Sequence, residues 1–395
     1  MSMRRCATLI SLLVLMPVLA SAQAFQTRAT AAYVLDQSTD TVLLSKDADT
    51  ALPPASMSKL MTVYMVFEAI ANGTLTLDEK LPVSAHSESY GGSTMFLNTR
   101  DRVRVEDLLR GVIVLSGNDA SSVLAEALSR DGTEAGFARQ MTERARQLGM
   151  MNSTFSNSNG WPSAGHRMSM KDLAILANRL ILDFPTYYPL FSEREFLFDN
   201  RAPANSQNRN PLLGLGIGAD GLKTGHTNEA GYGLVGSAKR GDRRIIFVIT
   251  GLQSSAARAE EAEKVVNWAF RQFAQKDVAK AGTQIAQADV WMGDQPTVGL
   301  AFEDDFSMLV PISKTTQGVP AEVVFDAPIT APIAKGQVLG ELVISFEGLP
   351  QARLPLVADR NVAKGGFSTR IKAAASVLAQ KIAPTPEIPA EAANQ

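Results

Sequence analysis

Two β-prone hairpins, one near the start of the chain and one near residue 250, enclose a long helical stretch, and that order limits the fold more than any other feature. Ala32 to Leu35 and Thr41 to Leu44 are short apolar runs separated by the polar Gln37-Ser38-Thr39-Asp40. Gly233 to Leu252 forms the second hairpin about a Lys239-Arg240-Gly241-Asp242 turn. Between them, Pro53-Pro54 stops the first hairpin, and Ser56 to Ile70 carries Leu60, Val63, Tyr64, Phe67 and Ile70 at helical spacing. Further helices are expected at 105–115, 119–128, 136–148 and 170–182, and an amphipathic one at 259–273. Strands, then helices, then strands and a helix suggest one sheet whose first and last strands come from the two chain ends of the domain. Beyond Lys276 the pattern changes to short β-prone runs punctuated by glycine and proline, at 290–292, 307–310, 322–325, 338–346 and 354–357. We therefore expect one domain over 25–275, a small all-β domain over 276–364, and an amphipathic helix with a proline-containing, disordered end over 365–395.

Residues 1–22 read as an export signal. Arg4 and Arg5 supply its positive end, Leu9 to Leu19 its apolar stretch, and Ala20-Ser21-Ala22 its cleavage site, with Ala24 as an alternative end. The apolar run is short for a membrane span of roughly 20 residues and contains Pro17. Its removal deletes two arginines and takes the formal charge from −2 to −4. The only cysteine, Cys6, leaves with it, so no disulfide, thiolate metal site or cysteine nucleophile is expected. His86, His166 and His226 lack H-x-x-x-H spacing, which argues against a histidine zinc site. With 38 basic and 40 acidic side chains the chain has no cationic field for nucleic acid.

Ser56-Met57-Ser58-Lys59 places a serine and a lysine three residues apart at a helix start, on one face. A neutral amine there can take the hydroxyl proton, and the helix N-terminus offers N–H groups to a developing oxyanion. Alone, the pattern also describes a capping serine beside a surface lysine. Ser116-Gly117-Asn118 can offer a hydroxyl and an amide, yet S-x-N recurs at Ser206-Gln207-Asn208, and a helix-ending turn explains either. Lys223-Thr224-Gly225 opens a strand in which glycine lets a ligand backbone approach a sheet edge, with a hairpin turn as its plain alternative. The three together, in this order, form the set shared by class A β-lactamases and penicillin-binding proteins.

With their neighbours, these motifs are specific. Pro54-Ala55-Ser56-Met57-Ser58-Lys59-Leu60-Met61-Thr62, residues 111–120 around Ser116-Gly117-Asn118, and Asp220-Gly221-Leu222-Lys223-Thr224-Gly225-His226-Thr227 resemble the signatures of the serine D-alanyl-D-alanine carboxypeptidases, the class C low-molecular-mass penicillin-binding proteins. The resemblance runs over nearly the whole chain. It implies an α+β penicillin-recognising transpeptidase-like domain, an antiparallel sheet with helices on both faces, followed by the small β domain.

The resemblance also implies roles. Ser56 would attack the carbonyl between two D-alanines to form an acyl-enzyme, with Lys59 as its base. Ser116 would relay a proton to the leaving amine, Asn118 would hold the stem-peptide amide, and Lys223 would support Ser116. Thr224 and Arg258 would bind the terminal carboxylate. The N–H groups of Ser56 and His226, beside Gly225, would form the oxyanion hole. The alternative for Arg258 is an ion pair with Glu260 or Glu261. Expected partners are peptidoglycan stem peptides ending in D-Ala-D-Ala, β-lactams, and the outer face of the cytoplasmic membrane through the terminal helix, with no cofactor.

Three rivals are weaker. A class A β-lactamase needs a glutamate to activate the deacylating water, and no E-x-x-L-N lies between Asn118 and Lys223; Glu193 and Glu195 stand in a different context. A DD-endopeptidase of this kind would resemble the first domain alone. A catalytically idle peptidoglycan-binding protein would not need all three motifs intact.

Overall fold

The computed structural model describes residues 25–312, 320–346, 351–367 and 371. The expected export signal, and the expected terminal helix apart from Phe367 and Ile371, lie outside the described residues.

Strands β1 (Ala31–Asp36) and β2 (Thr41–Lys46) form the first hairpin. A 3₁₀ turn over Ala55–Ser58 then leads into α1 (Lys59–Ala71), so the helix expected from Ser56 begins with a tighter turn. A two-stranded ribbon, β3 (Lys80–Pro82) with β4 (Arg102–Arg104), brackets the short α2 (Ala85–Glu88). The helix expected over 105–115 is α-helical only as α3 (Val105–Arg110) and continues as a wider π-type turn, Gly111–Leu115. After it come α4 (Asn118–Leu128), α5 (Glu134–Gln147) and α6 (Met170–Asp183). Serine or threonine side chains cap α5 and α6, Thr133 accepting from Gly136 N–H and Ser169 from Asp172 N–H.

Strands β5 (Ala219–Thr227), β6 (Gly231–Arg240) and β7 (Arg243–Leu252) complete an antiparallel sheet in the order β2-β1-β7-β6-β5. β1 pairs with β7 in unbroken register from Ala31↔Thr250 to Asp36↔Ile245, joining the two ends of the domain. α7 (Ser255–Arg271) follows, starting four residues before the apolar periodicity because Ser254 caps it through Ala257 N–H.

The run Ile245-Ile246-Phe247-Val248-Ile249 is apolar without alternation because both sheet faces are covered. Ile246 and Val248 pack with Val235 and Leu222 into the core shared with α1 and α6. Ile245, Phe247 and Ile249 pack on the other face against Ala262, Val265 and Val266 of α7. Each such side chain contributes roughly 1.5–3 kcal/mol by leaving water.

The remainder is all β. β8 (Phe273–Ala279) pairs with β11 (Phe306–Pro311). A second sheet has the order β12-β14-β15-β10-β9-β13, formed by β9 (Gln284–Trp291), β10 (Thr297–Ala301), β12 (Ala321–Phe325), β13 (Ile329–Thr330), β14 (Val338–Ile344) and β15 (Ala352–Ala358). Val298, Leu300, Ile344 and Leu356 give it a core of its own. β8, β10, β13 and most of β9 were not expected from sequence: β8 is interrupted by Lys276 and Asp277 and begins at Phe273, which was expected to end the preceding helix, and β10 is short and centred on Gly299. The fold is thus an antiparallel sheet with helices on both faces, followed by an all-β domain.

Candidate active site

The three sequence motifs meet where the turn before α1 abuts β5. Lys59 is fully buried, and its Nζ lies 2.9 Å from Ser56 Oγ, 2.7 Å from Asn118 Oδ1 and 2.6 Å from the carbonyl of Asn159. Burial first, and then the nearby Arg209 guanidinium, push the Lys59 ammonium down to about 7, against the opposing pull of Asp119 and Glu134. The amine is therefore available as a base near neutrality.

The 3₁₀ turn holds Ser56 by close packing on both sides. Ala55, just before it, takes φ 49°, a left-handed conformation that costs a residue with a side chain about 1–3 kcal/mol. A Cβ on Gly160 (φ +79°) would fall inside contact distance of the Ala55 carbonyl, and one on Gly225 would lie 3.0 Å from the Pro54 carbonyl. Glycine at these two places lets the 157–161 turn and β5 approach the segment that carries Ser56. β5 is an edge strand, so one side of its backbone has no strand partner.

Asn118 Nδ2 donates to the Gly91 carbonyl at 2.9 Å, which points its Oδ1 at Lys59. Asp119 anchors the adjoining loop, accepting from the N–H groups of Met95 and Leu97. Ser116 is buried in a left-handed conformation (φ 63°) at the end of the π-type turn. Among the described residues its hydroxyl makes no hydrogen bond to a protein group. Lys223 is buried, its Nζ 3.4 Å from the Thr224 carbonyl, and burial with Lys59, Arg209 and Arg258 pushes it well below its ordinary value.

Arg258 does not take the surface-pair alternative. Glu260 and Glu261 bind Arg28 instead, at 2.8 and 3.1 Å. Arg258 is 8% exposed, lies over the Tyr232 ring, donates to the Arg209 carbonyl at 3.4 Å, and keeps a buried Nε–H with no protein partner. Arg209 and Arg258 make the surroundings of Lys223 cationic. The glutamates weighed for lactamase chemistry are engaged elsewhere: Glu193 with Arg110 at 3.0 Å, and Glu195 with the Ser206 hydroxyl at 2.9 Å.

The sequence family described as D-alanyl-D-alanine carboxypeptidase matches residues 18–254, more than half of the chain. The chain belongs to that family. Residues 273–364 match the penicillin-binding protein 5 C-terminal domain. Relatives include D-alanyl-D-alanine carboxypeptidase DacC of Escherichia coli, 35% identical over 86% of this chain and 85% of its own length. DacF of Bacillus subtilis is 33% identical over 87% and 88%. Among solved structures, penicillin-binding protein 5 of Haemophilus influenzae superposes with a TM-score of 0.71 at 33% identity, covering 86% of this chain and 98% of that one. Penicillin-binding protein D2 of Listeria monocytogenes, in an ampicillin-bound form, gives 0.56 at 34% identity over 62% and 98%.

Around Lys59 this D-alanyl-D-alanine carboxypeptidase also places residues that motif reading passed over. Asn159 contributes a backbone carbonyl, which has no side-chain signature. Arg209 bonds Ser93 Oγ at 2.6 Å and the Leu115 carbonyl at 3.1 Å, placing its charge beside Lys59 and Lys223. It directly follows the second S-x-N, whose Asn208 ties local backbone together, donating to the Glu193 carbonyl and accepting from Asn210 N–H. That adjacency was the one available signal.

Proposed function

We propose that the enzyme removes the terminal D-alanine of peptidoglycan stem peptides through an acyl-enzyme on Ser56, and that penicillins acylate the same hydroxyl. The observation that carries this reading is the bonding of Lys59. A neutral amine has two N–H donors and one lone pair. In that form Asn118 Oδ1 at 2.7 Å and the Asn159 carbonyl at 2.6 Å would accept the two donors, leaving the lone pair for the Ser56 hydroxyl at 2.9 Å. Ser56 then gives its proton to Lys59 while Oγ bonds the carbonyl carbon. The developing oxyanion sits between the N–H groups of Ser56 and His226. The amide C–N bond breaks as the proton taken up by Lys59 is passed on through the Ser116 hydroxyl, supported by Lys223, to the departing amine; water later gives a proton to Lys59 and attacks the ester, and that proton returns to Ser56 Oγ as the ester C–O bond breaks. Asn118 holds the stem-peptide amide, and Thr224, Arg258 and Arg209 hold the terminal carboxylate.

Arg258→Ala should lower kcat/KM on a peptide with a free C-terminal carboxylate by about 10- to 100-fold, and by much less on its amidated form, because a charge-assisted hydrogen bond is lost only from the former. Parallel kinetics on the two peptides check this. Equal losses would place Arg258 in the scaffold.

The domain division we propose is 25–275 and 276–364, supported by the two family matches. Export by residues 1–22 or 1–24 would place the enzyme in the periplasm, where its substrate is. Residues 365–395 we assign to peripheral membrane contact. Phe367 and Ile371 are 81% and 53% exposed, and Arg370, Lys372 and Lys381 can meet anionic headgroups. No helix among the described residues is long and apolar enough to cross a membrane. Cutting the chain after Lys364 should abolish salt-sensitive binding to anionic vesicles in co-sedimentation. Equal binding by the full and cut proteins would refute the anchor.

A further inference from the structure

Glu134 is the first residue of α5, and its carboxylate is 5% exposed. A helix N-terminus favours an acid there, and Thr133 already caps the helix, yet the partners of Glu134 come from two other parts of the chain. One oxygen accepts from Ser158 N–H at 2.9 Å, Ser158 Oγ at 2.5 Å and Asn159 Nδ2 at 3.5 Å. The other accepts from Tyr90 OH at 2.7 Å and lies 2.8 Å from His86 Nε2. Both gripped segments end on acceptors that fix the lysine. The Asn159 carbonyl receives Lys59 Nζ directly, and Gly91, next to Tyr90, orients the Asn118 amide that receives it too. Thr62 of α1 closes the loop by donating to the Ser158 carbonyl at 2.6 Å.

We propose that Glu134 is a positioning residue for the reaction, its buried carboxylate clamping the 157–160 turn and the Tyr90-Gly91 segment so that both non-serine acceptors of Lys59 stay in place. This rests on Lys59 being the base. Burial pushes the Glu134 carboxyl up, but hydrogen bonds from Ser158, Tyr90 and His86 outweigh it and hold the group below its ordinary value, so it is an anion throughout the working range. Glu134 and Asp119 favour the Lys59 ammonium, Arg209 disfavours it, and Lys223 and His166 also lie within its field. Removing the Glu134 charge while keeping its shape must therefore make Lys59 easier to deprotonate.

The test is the pH dependence of acylation by a fluorescent penicillin in the full-length protein, with thermal melting as the check on folding. Glu134→Gln keeps the size and removes the charge. Its acid limb should move to lower pH, and its plateau rate should fall about 3- to 10-fold as donors lose their acceptor. Glu134→Asp keeps the charge but withdraws the oxygens, so the plateau should fall with the limb nearly unmoved. If Glu134→Gln does not fold, Ser158→Ala, which removes one hydroxyl bond, should lower the plateau by about 3-fold. A folded Glu134→Gln with limb and plateau both like wild type overturns the proposal while leaving Lys59 as the base. A wild type with no acid limb, together with a Lys59→Ala variant that acylates normally, overturns the base assignment and this proposal with it.

Discussion

Ser56→Ala should abolish penicillin labelling and reduce D-alanine release by at least about 10³-fold while leaving the melting temperature nearly unchanged. The hydroxyl is partly exposed and makes one described side-chain bond, to Lys59, so its loss removes little packing. No neighbour can replace it. Ser58 Oγ is fully buried without a hydrogen-bond partner, and among the described residues the Ser116 hydroxyl makes no hydrogen bond to Lys59. Labelling of the folded variant at another serine, read by mass spectrometry, would move the nucleophile.

Lys59→Ala should slow acylation by about 10²–10⁴-fold, the range for losing a positioned general base. Wild-type acylation should rise with pH through about 7, because only the neutral amine can accept the Ser56 proton and protonation below that value removes the base. The variant should lose this limb. Lys59→Arg should be similarly inactive, since a guanidinium stays protonated in the working range and has no lone pair to offer. Removing a buried lysine also leaves Asn118 and the Asn159 carbonyl without their donor, so some loss of thermal stability is expected. A folded Lys59→Ala protein that acylates normally at neutral pH would exclude Lys59 as the base.

The parts of the site legible in the sequence are those whose chemistry is local or carried by side chains in fixed order. Ser56 and Lys59 lie one helical turn apart, and S-x-N and K-T-G could be ranked against them. The sheet was legible for a similar reason: the Ile245 to Ile249 run and the Ala32 to Leu35 run both require cover on both faces. What escaped is long-range or backbone-borne. The Asn159 carbonyl comes 100 residues after Lys59 and would look the same from any residue type. Gly160 matters because its neighbour Ala55 is strained, which only the packed turn reveals. Arg209 and Glu134 look like ordinary surface charges until the fold brings one beside Leu115 and buries the other under Ser158.

The central claim is that a buried neutral lysine activates Ser56 for attack on a D-Ala-D-Ala bond. It is tested most directly by measuring D-alanine release from a peptide ending in D-Ala-D-Ala, with and without benzylpenicillin. The account predicts steady release that stops as benzylpenicillin labels Ser56 one to one. Release that persists in fully labelled enzyme, or no release from a folded protein that labels at Ser56, would contradict it.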